Sequence, residues 1–484
     1  MRQLLKFQNH QSQNLIAVLL VIISALFMFQ WVFSPEMTFF MDDWHWLHRS
    51  LFTPWSSYLS IWTILPAALY ADRPVEALIF KLLYELFGLN YSSYGAILLS
   101  IHIANGILVY FLMVRILASR FYAVLVAMFF TVSVIVACPA WWAATVSDSA
   151  ALLFCLASFL SFLGKRRGAT VLTVIFYYLS TRAKESTLPF PFLLLAYSFL
   201  TTFAPPRLET ASKALARAIR STFPVLFMFF ILFSFSMYYF TVAKLAAANF
   251  GPYLPKFNFL TMVDGTKIYL SYIAFQFLSQ SQVLVPFFLL ALWGFLTWNR
   301  AAIIGFLGFF VVLAPVLVLA SQRVPYYAYP GSIFVALMAA AAIQSINVKL
   351  AKKLGERADI ALKTSLLVGL MFFINNFYRS GMIRETTLAT MRHNSKTLKS
   401  LQATLTHVEN NSKIIITGLN SAPLTHLFAS AGCTALTVIY KIENIDCQTG
   451  GTSEELQAIY EKAEPPKILL NYLDGGVSLV ASSQ

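Results

Sequence analysis

The chain has 484 residues and a formal net charge of +14, with 58% hydrophobic and only 12% charged residues and a mean hydropathy of +0.69. A soluble globular chain carries about 25% charged residues, so a soluble fold is excluded, as is a disordered chain, and four Cys are too few for a disulfide scaffold. What remains is an α-helical polytopic membrane protein, in which surplus Lys and Arg report topology rather than a nucleic-acid partner.

The first apolar run, Leu15 to Phe33, approaches the ~20 residues of a spanning helix. Arg2 and Lys6 precede it. It is too long for a cleavable leader and lacks a small-residue cleavage site, which predicts an uncleaved first span. Further runs lie at 94–117, 121–138, 145–163, 169–181, 187–204, 223–243, 283–298, 301–320, 328–346 and 364–378, giving about eleven spans. A cytoplasmic N-terminus places seventeen Lys and Arg on the cytoplasmic side and nine on the outer connections, as the positive-inside rule requires. Two outer connections are long, 34–93 and 244–282. Within them, 59–69, 75–89 and Lys267–Gln280 have the helical spacing of segments lying in the interface.

After Tyr378 the composition turns polar. A helical stretch at 382–410 and strand-like runs at 413–418, 434–440 and 467–473 predict a small α/β domain, 379–484, behind a transmembrane domain, 1–378. An odd number of spans puts this domain on the outer face. An oxidising compartment there permits a Cys433–Cys447 disulfide, whereas Cys138 and Cys155 read as core residues. The seven His are scattered and show no metal spacing.

Charged residues outside the cytoplasm gather at one depth, the outer membrane boundary. MDDWHWLHR (41–49) places Asp42 and Asp43 among Trp44, His45, Trp46 and His48 just beyond the first span. It reads either as an interfacial belt or as a carboxylate serving as a general base. Asp72-Arg73-Pro74 is either a turn that starts a helix or an Arg fork for phosphate. TRAKES (181–186) brings Arg182, Lys184 and Glu185 together, as a solvated turn or a phosphate clamp. SQRVPYYAYP (321–330) offers Arg323, Tyr326 and Tyr327, as an aromatic belt or as phosphate neutralisation with phenolic hydrogen bonds. His102 lies inside the second span, where an ionisable residue is either a satisfied core group or a functional one. Asp148 follows Trp141 and Trp142, whose indoles read as interfacial anchors in preference to a stacking platform for a sugar ring. A transporter should place its polar groups near the midplane, and a channel should ring them around a pore. The outer-boundary pattern suits a substrate that is itself half lipid.

These residues resemble a family. Asp42-Asp43-Trp44 after the first span is similar to the first-loop acidic motif of polytopic glycosyltransferases of the C fold (GT-C). Residues 73–117, with their Arg-Pro start and His102, resemble the matching segment of relatives of protein O-mannosyltransferases. AKES before LPFPFLLLAY, and RVPYYAYPGSIF, are similar to the family's Lys-Glu and late Arg-Tyr-Pro segments. The resemblance covers about 1–346 and leaves the C-terminal domain unmatched. It implies an inverting hexosyltransferase that takes sugar from a polyprenyl-phosphate donor. Asp42, slightly preferred, or Asp43 would be the base. Arg73, Lys184, Arg323 and Tyr327 would bind the donor phosphate, and Trp44, His45, His102, Glu185 and Tyr326 would support the site or the acceptor. No cofactor is required, though a divalent cation is compatible. The expected acceptor is O-antigen or another surface glycan, of lipopolysaccharide or wall type, with a protein hydroxyl as the alternative. The expected location is the bacterial inner membrane, with the C-terminal domain in the periplasm. A lipid or sugar-lipid transporter, or a non-catalytic assembly subunit, is the alternative from another class; either would survive loss of the outer carboxylates.

Overall fold

A computed structural model describes the chain except residues 1, 61–72, 165–166, 204–207, 247–254, 275–279, 281, 355–357, 418–433, 450–452, 474–475 and 484. The amphipathic stretch at 59–69 and Cys433 thus lie largely or wholly outside the described residues.

The protein is a mostly helical, multi-pass membrane protein with a small C-terminal sheet. Each of the eleven apolar runs overlaps a helix: α1 (Arg2–Phe29), then, after α2 (Asp43–Phe52), α3 (Trp55–Ser60) and α4 (Pro74–Phe87), α5 (Tyr91–Leu117), α6 (Arg120–Val132), α7 (Val146–Phe162), α8 (Ala169–Ala183), α9 (Phe190–Thr202) and α10 (Leu208–Ala246). After α11 (Phe259–Ile273) come α12 (Leu284–Leu296), α13 (Arg300–Leu317), α14 (Tyr329–Leu354) and α15 (Ala358–Thr404). Among the described residues, six helical stretches have the length and composition to cross a membrane: Gln11–Phe33, Tyr91–Leu117, Ala143–Phe162, Thr210–Met237, Arg300–Leu317 and Pro325–Leu350. Helices dominate because a chain in lipid must satisfy its backbone internally.

Local sequence sets several boundaries. α6 ends at Val132, short of the 138 expected, and the chain enters a turn before a 3-10 segment at Cys138–Ala140. Pro139 stands in the first turn of that 3-10 segment, where its missing N–H leaves no bond unmade. α8 starts after Gly168, whose φ of 87° suits glycine. Asn258 and Asn299 cap α11 and α13 by accepting from Thr261 N (2.8 Å) and Ala302 N (3.1 Å). α15 runs unbroken through the change of composition after Tyr378.

The chain forms two compact units. The first comprises Met1–Gln30, Thr63–Val75 and Leu98–Gly381; the second comprises Trp31–Trp62, Glu76–Ile97 and Met382–Gln484. In the first, α13 and α14 approach closely because Gly305 and Gly308 present no side chain. A Cβ on Gly308 would lie 2.3 Å from the Phe334 ring.

In the second unit, β1 (Lys413–Thr417), β2 (Asp446–Thr449), β3 (Lys467–Leu473) and β4 (Gly476–Ser483) form a sheet in the order β2-β1-β3-β4. β1 pairs in parallel with β2 and β3, and β4 closes the edge antiparallel to β3. α17 (Ser453–Lys462) covers one face, packing Leu456 and Tyr460 on Ile415 and Leu469. Cys447, on β2, is disulfide-bonded.

One expected strand is corrected. TALTVIY, 434–440, is a helix (α16) that packs on α2. Its β-branched residues suggest a strand, but strand propensity is weak against tertiary context. Thr434 to Val438 are all buried consecutively, which a short helix wedged between elements accommodates.

Candidate active site

In the first unit, α8 ends at Ala183, Lys184 is extended (φ −154°, ψ 129°), and Glu185–Thr187 forms a 3-10 turn. Lys184 Nζ lies 2.5 Å from Asp148 Oδ2, and the two side chains are only 6% and 7% exposed. Asp148 sits in the first turn of α7. The rings of Tyr326 and Tyr327 lie 5.3 and 5.0 Å from the ammonium, within cation–π range. Trp142 meets Tyr326 edge-on at 5.7 Å.

Beside this pair, Arg73 makes a two-pronged contact with Glu185, Nε to Oε2 at 3.1 Å and Nη2 to Oε1 at 2.8 Å. Burial pushes the Glu185 carboxyl upward, but the Arg73 guanidinium, with Lys184 assisting, outweighs it. The group settles below the ordinary carboxylate value. Lys184, Glu185 and Arg73, all sequence candidates, therefore come together with Tyr326 and Tyr327. Asp148 joins them as counter-ion, a role its sequence reading missed. The available signal was an acidic residue entering an apolar helix, where a charge needs a partner.

A crevice opens from this cluster. It is narrow, and is lined by Asp148 and Lys184 and otherwise mainly by apolar side chains. Asp148, Leu152, Cys155 and Phe159 follow one another along α7, so the wall extends roughly 16 Å from its charged end. Phe190, Ile333 and Phe334 face it from α9 and α14. The crevice is thus apolar along its length, with the Lys184–Asp148 pair at one end.

The paired carboxylates belong to the second unit. Met41 has φ 51°, an uncommon conformation for a non-glycine residue, and turns the chain into α2. Asp42 occupies the N-cap position and is exposed. Asp43 is fully buried, and its Oδ2 accepts from the Phe40 N–H at 3.1 Å. Trp44 is buried with no partner for its Nε1. Packing around His45 lowers its imidazole below the ordinary value; Asp42 opposes this and Arg49 adds to it. His45 is thus neutral at pH 7.

Two further candidates have structural partners. His102 is fully buried, 2.8 Å from the Tyr329 hydroxyl through Nδ1 and 3.0 Å from the Thr131 carbonyl through Nε2. The carbonyl must accept, so Nε2 carries the hydrogen and Nδ1 accepts from Tyr329. Asn105 joins this network by donating to Ser149 O and Tyr329 Oη. Arg323 donates to the Thr261 carbonyl at 3.1 Å and, more weakly, to the Leu319 carbonyl at 3.4 Å, tying its loop to α11. Among the described residues, no group of three or more His, Cys, Asp or Glu is placed to hold a metal ion.

No protein-family model and no curated protein matches the chain. Among solved structures, the chain is similar to ArnT from Cupriavidus metallidurans bound to undecaprenyl phosphate, with a TM-score of 0.43 and 12% identity over 94% of this chain and 93% of that one. At that level of likeness no residue role is transferred.

Proposed function

We propose that the chain is an inverting glycosyltransferase of the GT-C type, which moves a sugar from a polyprenyl-phosphate carrier to an acceptor hydroxyl at the outer membrane face. The supporting observation is the apolar crevice that ends on the Lys184–Asp148 pair beside the Arg73 fork. The isoprenoid tail occupies the slot and its phosphate meets the cations. As the glycosidic C–O bond breaks, charge builds on the leaving phosphate, and fixed cations stabilise that charge where it develops. Lys184 and Arg73 supply them, with Arg323 as a third and Tyr327 as a phenolic donor. The acceptor hydroxyl attacks the anomeric carbon from the opposite face, which inverts it. Its proton passes to a carboxylate, assigned from the sequence motif to Asp42 or Asp43. Trp44, His45 and Tyr326 support donor and acceptor, Glu185 pairs with Arg73, and His102 acts through the helix it pins. The reaction as written uses no cofactor.

The acceptor in this reading is O-antigen or another surface glycan, with a protein hydroxyl ranked second. The membrane is the bacterial inner membrane and the C-terminal domain is periplasmic. The charge bias of the loops supports that sidedness, and so does the disulfide at Cys447.

The test is to incubate purified protein with a panel of polyprenyl-phosphate sugars and a cell-surface glycan acceptor. Release of free polyprenyl phosphate with transfer of the sugar is expected for at least one donor. Flipping of the intact lipid-linked sugar across a vesicle, with no release from any donor, would replace the enzyme by a transporter.

A further inference from the structure

The two ion pairs of the cluster differ in one respect. Lys184 and Asp148 are sealed, at 6% and 7% side-chain exposure. Arg73 and Glu185 remain 26% and 20% exposed. Glu185 also stands on a three-residue 3-10 turn rather than in a helix, so its side chain can swing without unwinding α8 or α9. Its carboxylate engages the Arg73 fork through both oxygens. A phosphate offers the same two-oxygen bite to a guanidinium.

We propose that Glu185 is an intramolecular stand-in for the donor phosphate: the lipid phosphate binds Arg73 by displacing Glu185, and the return of Glu185 expels the product. This rests on the functional reading above, which supplies the polyprenyl-phosphate ligand. The charges follow the reaction. A polyprenyl-phosphate sugar is a phosphodiester with one negative charge, so it exchanges for the Glu185 carboxylate one for one. Transfer leaves a phosphate monoester, which gains further negative charge near neutral pH and grips Arg73 more tightly than the donor did. An enzyme that must release this product gains from a tethered competitor. Lys184, held by a buried carboxylate that solvent barely reaches, stays in place through the exchange.

The sign of the effect distinguishes this role from simple orientation of Arg73. The full chain in lipid nanodiscs is titrated with farnesyl phosphate and with undecaprenyl phosphate. Glu185→Gln removes the competing charge and keeps the volume, and should bind both about two- to fivefold more tightly, as loss of a partly exposed pair implies. Product inhibition should deepen by a similar factor. In the Arg73→Ala background the gain should disappear. Should Glu185→Gln fold poorly, Glu185→Asp, one methylene shorter, should show the same direction more weakly. Unchanged or weaker binding in the folded Glu185 variants overturns the proposal and makes Glu185 an orienting partner. Failure of the wild-type chain to bind either phosphate is a different result: it removes the functional reading, and this inference with it.

Discussion

Lys184 and Asp148 illustrate why a buried pair must be judged as a pair. Each charge is desolvated, and removing one partner leaves the other uncompensated, a loss of about 3–5 kcal/mol. Asp148→Asn and Lys184→Met should each lower the thermal unfolding temperature strongly, while the double variant should recover most of the loss. Activity should not recover with it, because the cation at the end of the crevice is gone. Recovery of turnover in the double variant would reduce the pair to a structural role. The two N-terminal carboxylates invite a similar separation. Asp43 is buried and accepts a backbone N–H, so Asp43→Asn, which replaces a charged acceptor by a neutral one, should cost about 1 kcal/mol of stability. Asp42 is exposed at the head of α2, free of that structural task, so Asp42→Asn should fold normally and lose ~10²–10⁴-fold in transfer. Wild-type turnover in Asp42→Asn, with loss confined to folded Asp43→Asn, would move the base to the buried residue. Sequence marked both carboxylates and all three cations. It did not mark how they pair: Asp148 lies 36 positions from Lys184, and Arg73 lies 112 from Glu185. Partners at such separations are brought together only by helix packing.

At the scale of elements, the crevice depends on how closely α13 and α14 pack. Gly308 lies against the Phe334 ring, and Phe334 lines the slot. A methyl group on Gly308 must push that ring, and overpacking of this kind costs about 1–3 kcal/mol. Gly308→Ala should therefore lower thermal stability and raise KM for a long-chain donor more than for a farnesyl donor, whose tail occupies less of the slot. Equal effects on both donors would detach this packing from the lipid site. The helices themselves were legible, since an apolar run of spanning length has few alternatives in lipid. Their ends were less so. The run at 121–138 is helical only to Val132, and apolar composition does not show where the helix gives way to the turns at 133–137. Residues 434–440 read as a strand because seven residues rich in Thr, Val and Tyr carry no helical period, and burial against α2 decided otherwise. Strands 413–417 and 467–473 were legible because each is a short apolar run bounded by turn residues and, in the sheet, is buried along most of its length.

At the scale of the molecule, function depends on sidedness. The proposed chemistry needs Lys184, Arg73 and the carboxylate base on the side where the lipid-linked sugar is presented. In the proposed topology Lys and Arg sort by connection, seventeen against nine, and the disulfide at Cys447 suits an oxidising compartment. Four exposed or half-exposed serines sample the proposed topology. Ser56 follows the first span, Ser482 ends the sheet, Ser119 joins α5 to α6, and Ser212 lies in the basic entry to α10. Single Cys replacements at these sites, with the four native Cys replaced, should divide cleanly in intact cells treated with a membrane-impermeant thiol reagent. Ser56→Cys and Ser482→Cys should label from outside. Ser119→Cys and Ser212→Cys should label only after the membrane is opened. Because one misplaced span inverts every connection after it, Ser482→Cys is the severest of the four: it lies beyond all the spans and registers an error anywhere upstream. Labelling of Ser212→Cys in intact cells, or protection of Ser482→Cys, would put the sheet or the cation cluster on the cytoplasmic side. With the cluster there, a periplasmic lipid-linked sugar could no longer be the donor.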